Sequence, residues 1–515
     1  MSGVGASTAH GTATHATTEG DVLGRTARLM TWALVLILVW LPLQTPIAVA
    51  VFQYGHSVGL SRATLLLKDA AVALLLLYAL GVTWRTLKLR WFDKLAIAYV
   101  VLVVVYSIVP WLLGSDHAFT TVASAAREFA LPVEAYALGR LAYLVGADVR
   151  FIFRAFVVAS AVVALIAIVE YFVLPITFWS STLDLVSFER IVQGVPSAIS
   201  LWDISLLGDY GAGGGTYPRA IATFAHPVGA AGYFILPLGL TVAAWYGGEA
   251  RGKRLMTAGL ILVSLLFALA TIVTLSRGAW LAVAVAVVMC GYIFRRLRMA
   301  FLCLTIMGIF LVSVPPFNQS ISSALNRNDG SMIGHMEALG RDVQAVMENV
   351  FGMGLGSADR VVTNLPPASP TPQIVASPSP TPSGQSGTPA VNNTSDIESA
   401  GIGEDLYLSV LVSTGPLGAA AFFAWCLGLI VALVRGARQS TRKWLPIGTA
   451  AALVGSLVSA STSSAMMRFT TAASAWLLLG LATSLVLASS PKVAGLTRPR
   501  LRGWLPRRPR KASQP

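Results

Sequence analysis

The sequence predicts an all-α, polytopic membrane protein, and three observations carry the prediction. Apolar residues make up 55% of the 515-residue chain and charged residues only 12%, with a mean hydropathy of +0.70. The apolar residues gather into runs long enough to cross a bilayer, whose hydrocarbon core takes about 20 residues of helix. The basic residues fall between those runs, in alternate connections, as the positive-inside rule requires. A net charge of +14 would suggest nucleic acid on a soluble chain. Distributed in this way it sets topology instead, and no nucleic-acid partner is expected.

Residues 1–28 are polar and rich in Thr, Ala and Gly, and the apolar run that follows is too long for a signal-peptide core. They are expected to form a disordered cytoplasmic tail ahead of a retained span. About twelve spans follow from the apolar runs: 29–52, 63–83, 95–113, 119–142, 151–173, 226–246, 255–275, 279–294, 299–315, 405–434, 445–465 and 471–490. Arg85/Lys88/Arg90/Lys94, Arg140/Arg150, Arg251/Lys253/Arg254, Arg295/Arg296/Arg298 and Arg435/Arg438/Arg442/Lys443 then share one side with the basic tail 491–515. That side is the cytoplasm by Lys/Arg bias, which places both termini inside.

Two long connections face outward. Residues 174–225 carry Trp179, Trp202 and Tyr210 and end in a glycine run. Residues 316–404 form a large outer loop. Within it, 331–349 has the spacing of a short amphipathic helix through Met332, His335, Met336, Leu339, Val343 and Val346. Gly352, Gly354 and Gly356 then read as a flexible stop. Residues 366–395 are a Pro/Ser/Thr-rich linker, and the sequons at Asn392 and Asn393 follow from that composition. No internal repeat of the transporter kind is visible.

Cations on the outer side run against the charge rule and call for a reason. Lys68, Arg127, Arg219, Arg277, Arg341 and Arg468 lie near outer ends of spans or in outer loops. Lys68-Asp69 and Arg127-Glu128 sit in apolar runs and serve either as salt bridges between helices or as functional charges. Arg277 stands in Thr274-Leu275-Ser276-Arg277-Gly278-Ala279-Trp280, between two apolar runs. It marks a membrane boundary or clamps an anion with its planar fork. A cluster of such arginines open to the outside suits a pyrophosphate headgroup whose lipid tail lies in the bilayer.

The 6 histidines show no metal-binding spacing, and the 3 cysteines, Cys290, Cys303 and Cys426, form no spaced pair. No metal and no cofactor is expected. His226 and His335 are each a structural histidine or a general base. Glu404-Asp405 precede an apolar run, either as the polar start of a helix or as a carboxylate that takes a proton from a sugar hydroxyl.

Three stretches together resemble the O-antigen ligase/polymerase family of polytopic enzymes. Arg219–Pro227 is similar to its Arg-x-x-Gly-x-Phe-x-x-Pro segment, and Leu275–Trp280 to its Ser-Arg-Gly hinge. Asn349–Gly356, with Glu404-Asp405-Leu-Tyr407-Leu and Gly415-Pro416-Leu-Gly418, is similar to its large outer loop and the helix after it. The resemblance covers about 219–430 of a membrane domain at 29–490. It implies a metal-independent, inverting transfer of glycan from a polyprenyl-pyrophosphate-linked oligosaccharide to a hydroxyl of a glycan, lipid or protein acceptor. Arg277 and Arg219 would contact the donor, with Arg341, Arg127 and His226 as further binding candidates. Ligases of the family carry His-Asn where this chain has Glu404-Asp405, so Glu404 and His335 are the candidates for the base. A transporter or flippase of lipid-linked sugars is the alternative, and a non-catalytic assembly subunit the third reading.

Overall fold

The computed structural model describes residues 11–112, 119–175, 178, 185–188, 191–192, 207–208, 217–224, 226–249, 252–325, 339–340, 343–355, 406–440, 442–461 and 470–489. Each apolar run carries a helix. The first five are α1 (Gly11–Gly55), α2 (Val58–Thr83), α3 (Trp91–Leu112), α4 (Phe119–Val145) and α5 (Val149–Val173). After the first long connection come α6 (Pro227–Tyr246), α7 (Arg254–Val273), α8 (Arg277–Ile293), α9 (Leu297–Ser313) and α10 (Pro315–Leu325). The last three are α11 (Leu406–Ala437), α12 (Trp444–Ser459) and α13 (Thr470–Ser489). The departure from helix is small: Leu207–Gly208 (β1) pairs antiparallel with Tyr217–Pro218 (β2) within that connection.

Among the described residues, 8 helices are long and apolar enough to cross a membrane, or 9 if α9 and its bent continuation form one span. That is fewer than the expected twelve, for three physical reasons. The α4 helix carries Arg127, Glu128, Glu134 and Arg140. The α8 and α12 helices have only 17 and 16 residues. The chain also breaks by 92° between Ser313 and Pro315. The outward faces are apolar as a lipid-facing surface must be: Leu66, Leu74, Leu77, Val101, Val104, Leu262, Leu265, Ile306 and Ile309 are all exposed. This is a multi-pass membrane protein.

Two further differences from the sequence reading are local. The stretch read as a disordered tail is helical from Gly11. Once the apolar run has formed its first turns, adding residues to the helix end costs little, and the Thr/Ala-rich stretch joins it. A helix stands at Pro315–Leu325, at the start of the stretch read as the large outer loop. Pro315 and Pro316 stop α9 and restart the chain as α10, because proline fits a first helical turn but not an interior.

Helices without a hydrophobic force between them associate by close packing of small residues. The α13 helix lies along α4, α12 runs between α6 and α8, and α11 lies along α3. Where α4 meets α13, a side chain on Gly139 would strike the Leu477 carbonyl, and one on Gly480 the Tyr136 carbonyl. The backbones therefore touch. Beside this contact Trp425 stacks on Trp476 at 4.6 Å and 14°, filling the centre where α11 meets α13.

Arg140, read as one of the loop charges, is instead buried at this α4–α13 contact. Its Nη2 lies 2.8 Å from Asp93 Oδ2 and its Nη1 donates to Ser484 Oγ at 3.2 Å. Tyr136 donates to the other Asp93 oxygen at 2.8 Å. The reason is reach: the carboxylate on α3 stands beside α4, so the charge can turn inward with a mate.

Of the glycines read as a flexible stop, Gly352 and Gly354 lie in a packed segment, and Gly356 is outside the described residues. The Met353 amide donates to Val412 O at 2.8 Å, the Leu355 amide to Tyr106 O at 3.0 Å, and Tyr106 Oη to Phe351 O at 2.6 Å. The segment thus wedges between α3 and α11, at the point where α11 breaks. Gly415 has φ 62° there, and a side chain on it would collide with Phe351 O and the Tyr106 hydroxyl. Left-handed backbone and close approach both demand glycine.

Candidate functional site

The site is built around the junction of α7 and α8. The α7 helix ends at Val273, Leu275 turns the chain with φ 52°, and α8 starts at Arg277. A left-handed residue other than glycine costs about 1–2 kcal/mol, so the turn is held by its neighbours. Thr274 Oγ1 donates to Thr271 O at 2.7 Å, the Leu275 amide to Ile272 O at 3.0 Å, and Trp280 Nε1 to Thr271 O at 3.3 Å. Ser276 occupies the cap position but its side chain makes no capping bond to the first turn of α8.

A second segment, residues 219–224, is laid against this turn. The Ala220 amide donates to Val273 O at 3.0 Å, and Arg219 Nε to Thr274 O at 3.2 Å. The structure therefore brings Arg219 to the turn that starts with Thr274 and ends with Arg277. Ala222, three residues on, is also left-handed, at φ 54°. It occupies the position that is glycine in the Arg-x-x-Gly-x-Phe-x-x-Pro pattern, and its backbone has the conformation glycine takes most readily. Glu170, near the end of α5, holds that conformation: Oε1 accepts from the Ile221 amide at 3.0 Å and Oε2 from the Ala222 amide at 2.6 Å.

The α10 helix covers the other side. Arg277 Nη1 donates to Ser320 O at 3.2 Å. Phe317 is buried among Tyr171 of α5, Trp280 of α8 and Phe310 of α9, at ring separations of 6.2, 6.1 and 5.6 Å. The sharp bend after α9 thus returns a short helix across the start of α8. A carbonyl on one helix and aromatic packing on three set where the Arg277 side chain points.

His226 caps α6, and its Nδ1 accepts from the Val228 amide at 3.2 Å. That bond requires an unprotonated Nδ1, so the neutral ring carries its proton on Nε2. Nδ1 is thus engaged in the cap of α6. Arg127 lies at the α2–α4 interface, with Nη1 3.4 Å from Asp69 Oδ2, and Lys68 Nζ lies 3.3 Å from the same oxygen. The two dipeptides singled out in the sequence are therefore joined across helices through Asp69. His335, Arg341 and Glu404 lie outside the described residues. Just after Glu404, the Leu406 amide donates to Ala460 O at 2.9 Å and Tyr407 Oη to Leu457 O at 2.6 Å, which fixes the start of α11 on α12.

Sequence reasoning missed Glu170 and α10. Glu170 had a readable signal, since a lone acid near the end of an apolar run is costly without donors and is often functional. Among the described residues no group of three or more His, Cys, Asp or Glu comes together.

Comparison with curated proteins found no match. The family model described as O-antigen ligase matches residues 261–423, which hold most of α7, all of α8 to α10 and the first half of α11. The matched stretch includes Arg277 and the segment that wedges against Gly415, and it supports glycan transfer of the ligase or polymerase type in general. Residues 261–423 thus match the model of the O-antigen ligase family, the family that the motifs around Arg277 resemble.

Proposed function

We propose that the protein transfers or polymerises a polyprenyl-pyrophosphate-linked glycan onto a hydroxyl acceptor at the outer face of the cytoplasmic membrane. The observation that carries this reading is that Arg219 is bonded to the turn that leads into Arg277, through the Arg219 Nε bond to Thr274 O. Two guanidinium forks on adjacent segments match a diphosphate, whose oxygens they engage in pairs. The start of α8 adds the positive end of a helix dipole at the same place.

In the reaction, the acceptor hydroxyl attacks the anomeric carbon from the face opposite the pyrophosphate. The carbon–oxygen bond to the pyrophosphate breaks, and the configuration inverts. Negative charge grows on the leaving diphosphate, and Arg219 and Arg277 stabilise it there, the kind of term that dominates such transfers. No metal is needed for that task when two arginines meet the charge. His226 donates from Nε2 to donor oxygens. The hydroxyl proton passes to a base from the outer loop, with Glu404 and His335 as candidates and Arg341 as a further contact to the donor.

The test uses purified full-length protein in detergent with a polyprenyl-pyrophosphate oligosaccharide, following donor loss and formation of longer or transferred glycan. Wild type is expected to turn over, and Arg277→Ala to lose about 100-fold or more, as when one oxyanion donor is removed. Movement of donor across liposomes without any turnover would overturn the reading in favour of a transporter.

A further inference from the structure

The carboxylate of Glu170 lies where no reacting group is needed, yet it is buried and bonded through both oxygens. It stands on α5, while the amides it accepts from belong to Ile221 and Ala222 of the segment that carries Arg219. The same segment is tied on its other side to α7, by the Ala220 amide bond to Val273 O. Three successive backbone amides, 220 to 222, are thus divided between two helices, and Arg219 is the residue that leads into them. Ala222 is held at φ 54°, a conformation an alanine adopts only under such constraint.

We propose that Glu170 is a positioning residue for the donor arginine. By holding residues 221 and 222 in their unusual turn, it fixes the direction from which Arg219 approaches the α7–α8 junction, and hence the spacing between the two guanidinium groups. This rests on the transferase reading for its substrate, a lipid-linked pyrophosphate, but not for its geometry. A carboxylate suits the task because an ionised group accepts from two amides at once, and such charge-assisted bonds are short and directional. It does not suit the role of base: Glu170 is 8% exposed, and both of its oxygens point at backbone donors. An amide in its place replaces one of the two acceptor oxygens with an NH2, which would set its own N–H against a backbone donor.

Glu170→Gln in the full-length protein is the variant to make, beside Arg219→Ala and the double variant. A clamp misplaced by about 1 Å loses about 100-fold, so Glu170→Gln is expected to lower kcat/KM for the lipid-linked donor by about that factor, with a raised donor KM. The double variant is expected to be no worse than Arg219→Ala alone, because a misdirected side chain that has been removed cannot be misdirected further. Ala222→Gly added to Glu170→Gln is expected to restore part of the loss, since glycine adopts the left-handed turn unaided.

Multiplying losses in the double variant would overturn the proposal. So would a Glu170→Gln protein with a lowered Tm but an unchanged donor KM in its folded fraction, as a merely structural carboxylate gives. If Glu170→Gln does not accumulate as folded protein, Glu170→Asp, which keeps the charge and shortens the reach, carries the same comparison. Hydrogen exchange at the amides of residues 221 and 222 separates the two readings. Slow exchange in wild type that becomes fast in the variant supports the Glu170 clamp whether or not the donor is turned over. Absent turnover by wild type sinks only the transferase reading, and unchanged exchange in the variant sinks the clamp.

Discussion

Arg140 and Arg277 are both arginines drawn in from the edges of an apolar bundle, and they are held by different chemistry. Arg140 meets a carboxylate at 2.8 Å, a serine hydroxyl at 3.2 Å, and lies beside a glycine contact where two helix backbones touch. Its mate Asp93 also accepts from Tyr136 Oη and from the Arg90 amide, each at 2.8 Å. Arg277 and Arg219 donate to main-chain carbonyls, Ser320 O and Thr274 O. A carboxylate cancels the charge it binds and makes the arginine a strut between helices. A carbonyl fixes where a guanidinium points and contributes only a partial charge. The difference teaches that an arginine in a membrane bundle is to be read by what receives it as well as by how deep it lies.

The comparison can be tested by substitution. The largest effect is expected from Asp93→Ala, which leaves the Arg140 guanidinium buried without its carboxylate. Removing one partner of such a pair costs about 3–5 kcal/mol, read as a loss of thermal stability in detergent, while turnover per folded molecule stays near wild type. Replacing Asp93 and Arg140 together with leucine and methionine is expected to recover most of that loss. Next comes Arg277→Lys, which keeps the charge and removes the fork. A fall of about tenfold or more in kcat/KM with an unchanged Tm is expected, because a point charge does not reproduce bidentate contact. A stability loss as large as that of Asp93→Ala would erase the distinction. The smallest effect is expected from Arg127→Ala. The 3.4 Å contact of Arg127 with Asp69 is looser than the 2.8 Å pair of Arg140 with Asp93, so its loss is expected to cost less. A raised donor KM in this variant would move Arg127 to the side of Arg277.

Much of this arrangement was legible in the sequence, and what was not has physical causes. Apolar runs place helices well, because no other backbone conformation satisfies its polar groups within lipid. The Ser-Arg-Gly junction was visible because it interrupts two such runs. The role of Glu170 was not, since its receivers are main-chain amides of Ile221 and Ala222, groups that every residue type carries alike. Arg140 looked like a loop charge because its mate Asp93 belongs to another helix. The α10 helix was hidden by its length: 11 residues with few apolar positions do not register as a span. The wedge of residues 351–355 was read as slack because glycine signals both looseness and tight contact, and only the neighbours Tyr106 and Gly415 decide which.

The wedge has one more consequence. It ties the chain to α3 at Leu355, and the chain is tied again to α12 at Leu406, each by a backbone bond. The bundle therefore already holds Leu355 and Leu406 at a set distance, and joining two held ends carries only a loop-closure cost. Closing such a loop depends on its length only logarithmically, with about 0.6 kcal/mol for each doubling. Residues can therefore be gained or lost between these anchors with little effect on the helices at either end. A long Pro/Ser/Thr-rich stretch can thus lie within the matched residues 261–423 without disturbing the junction around Arg277.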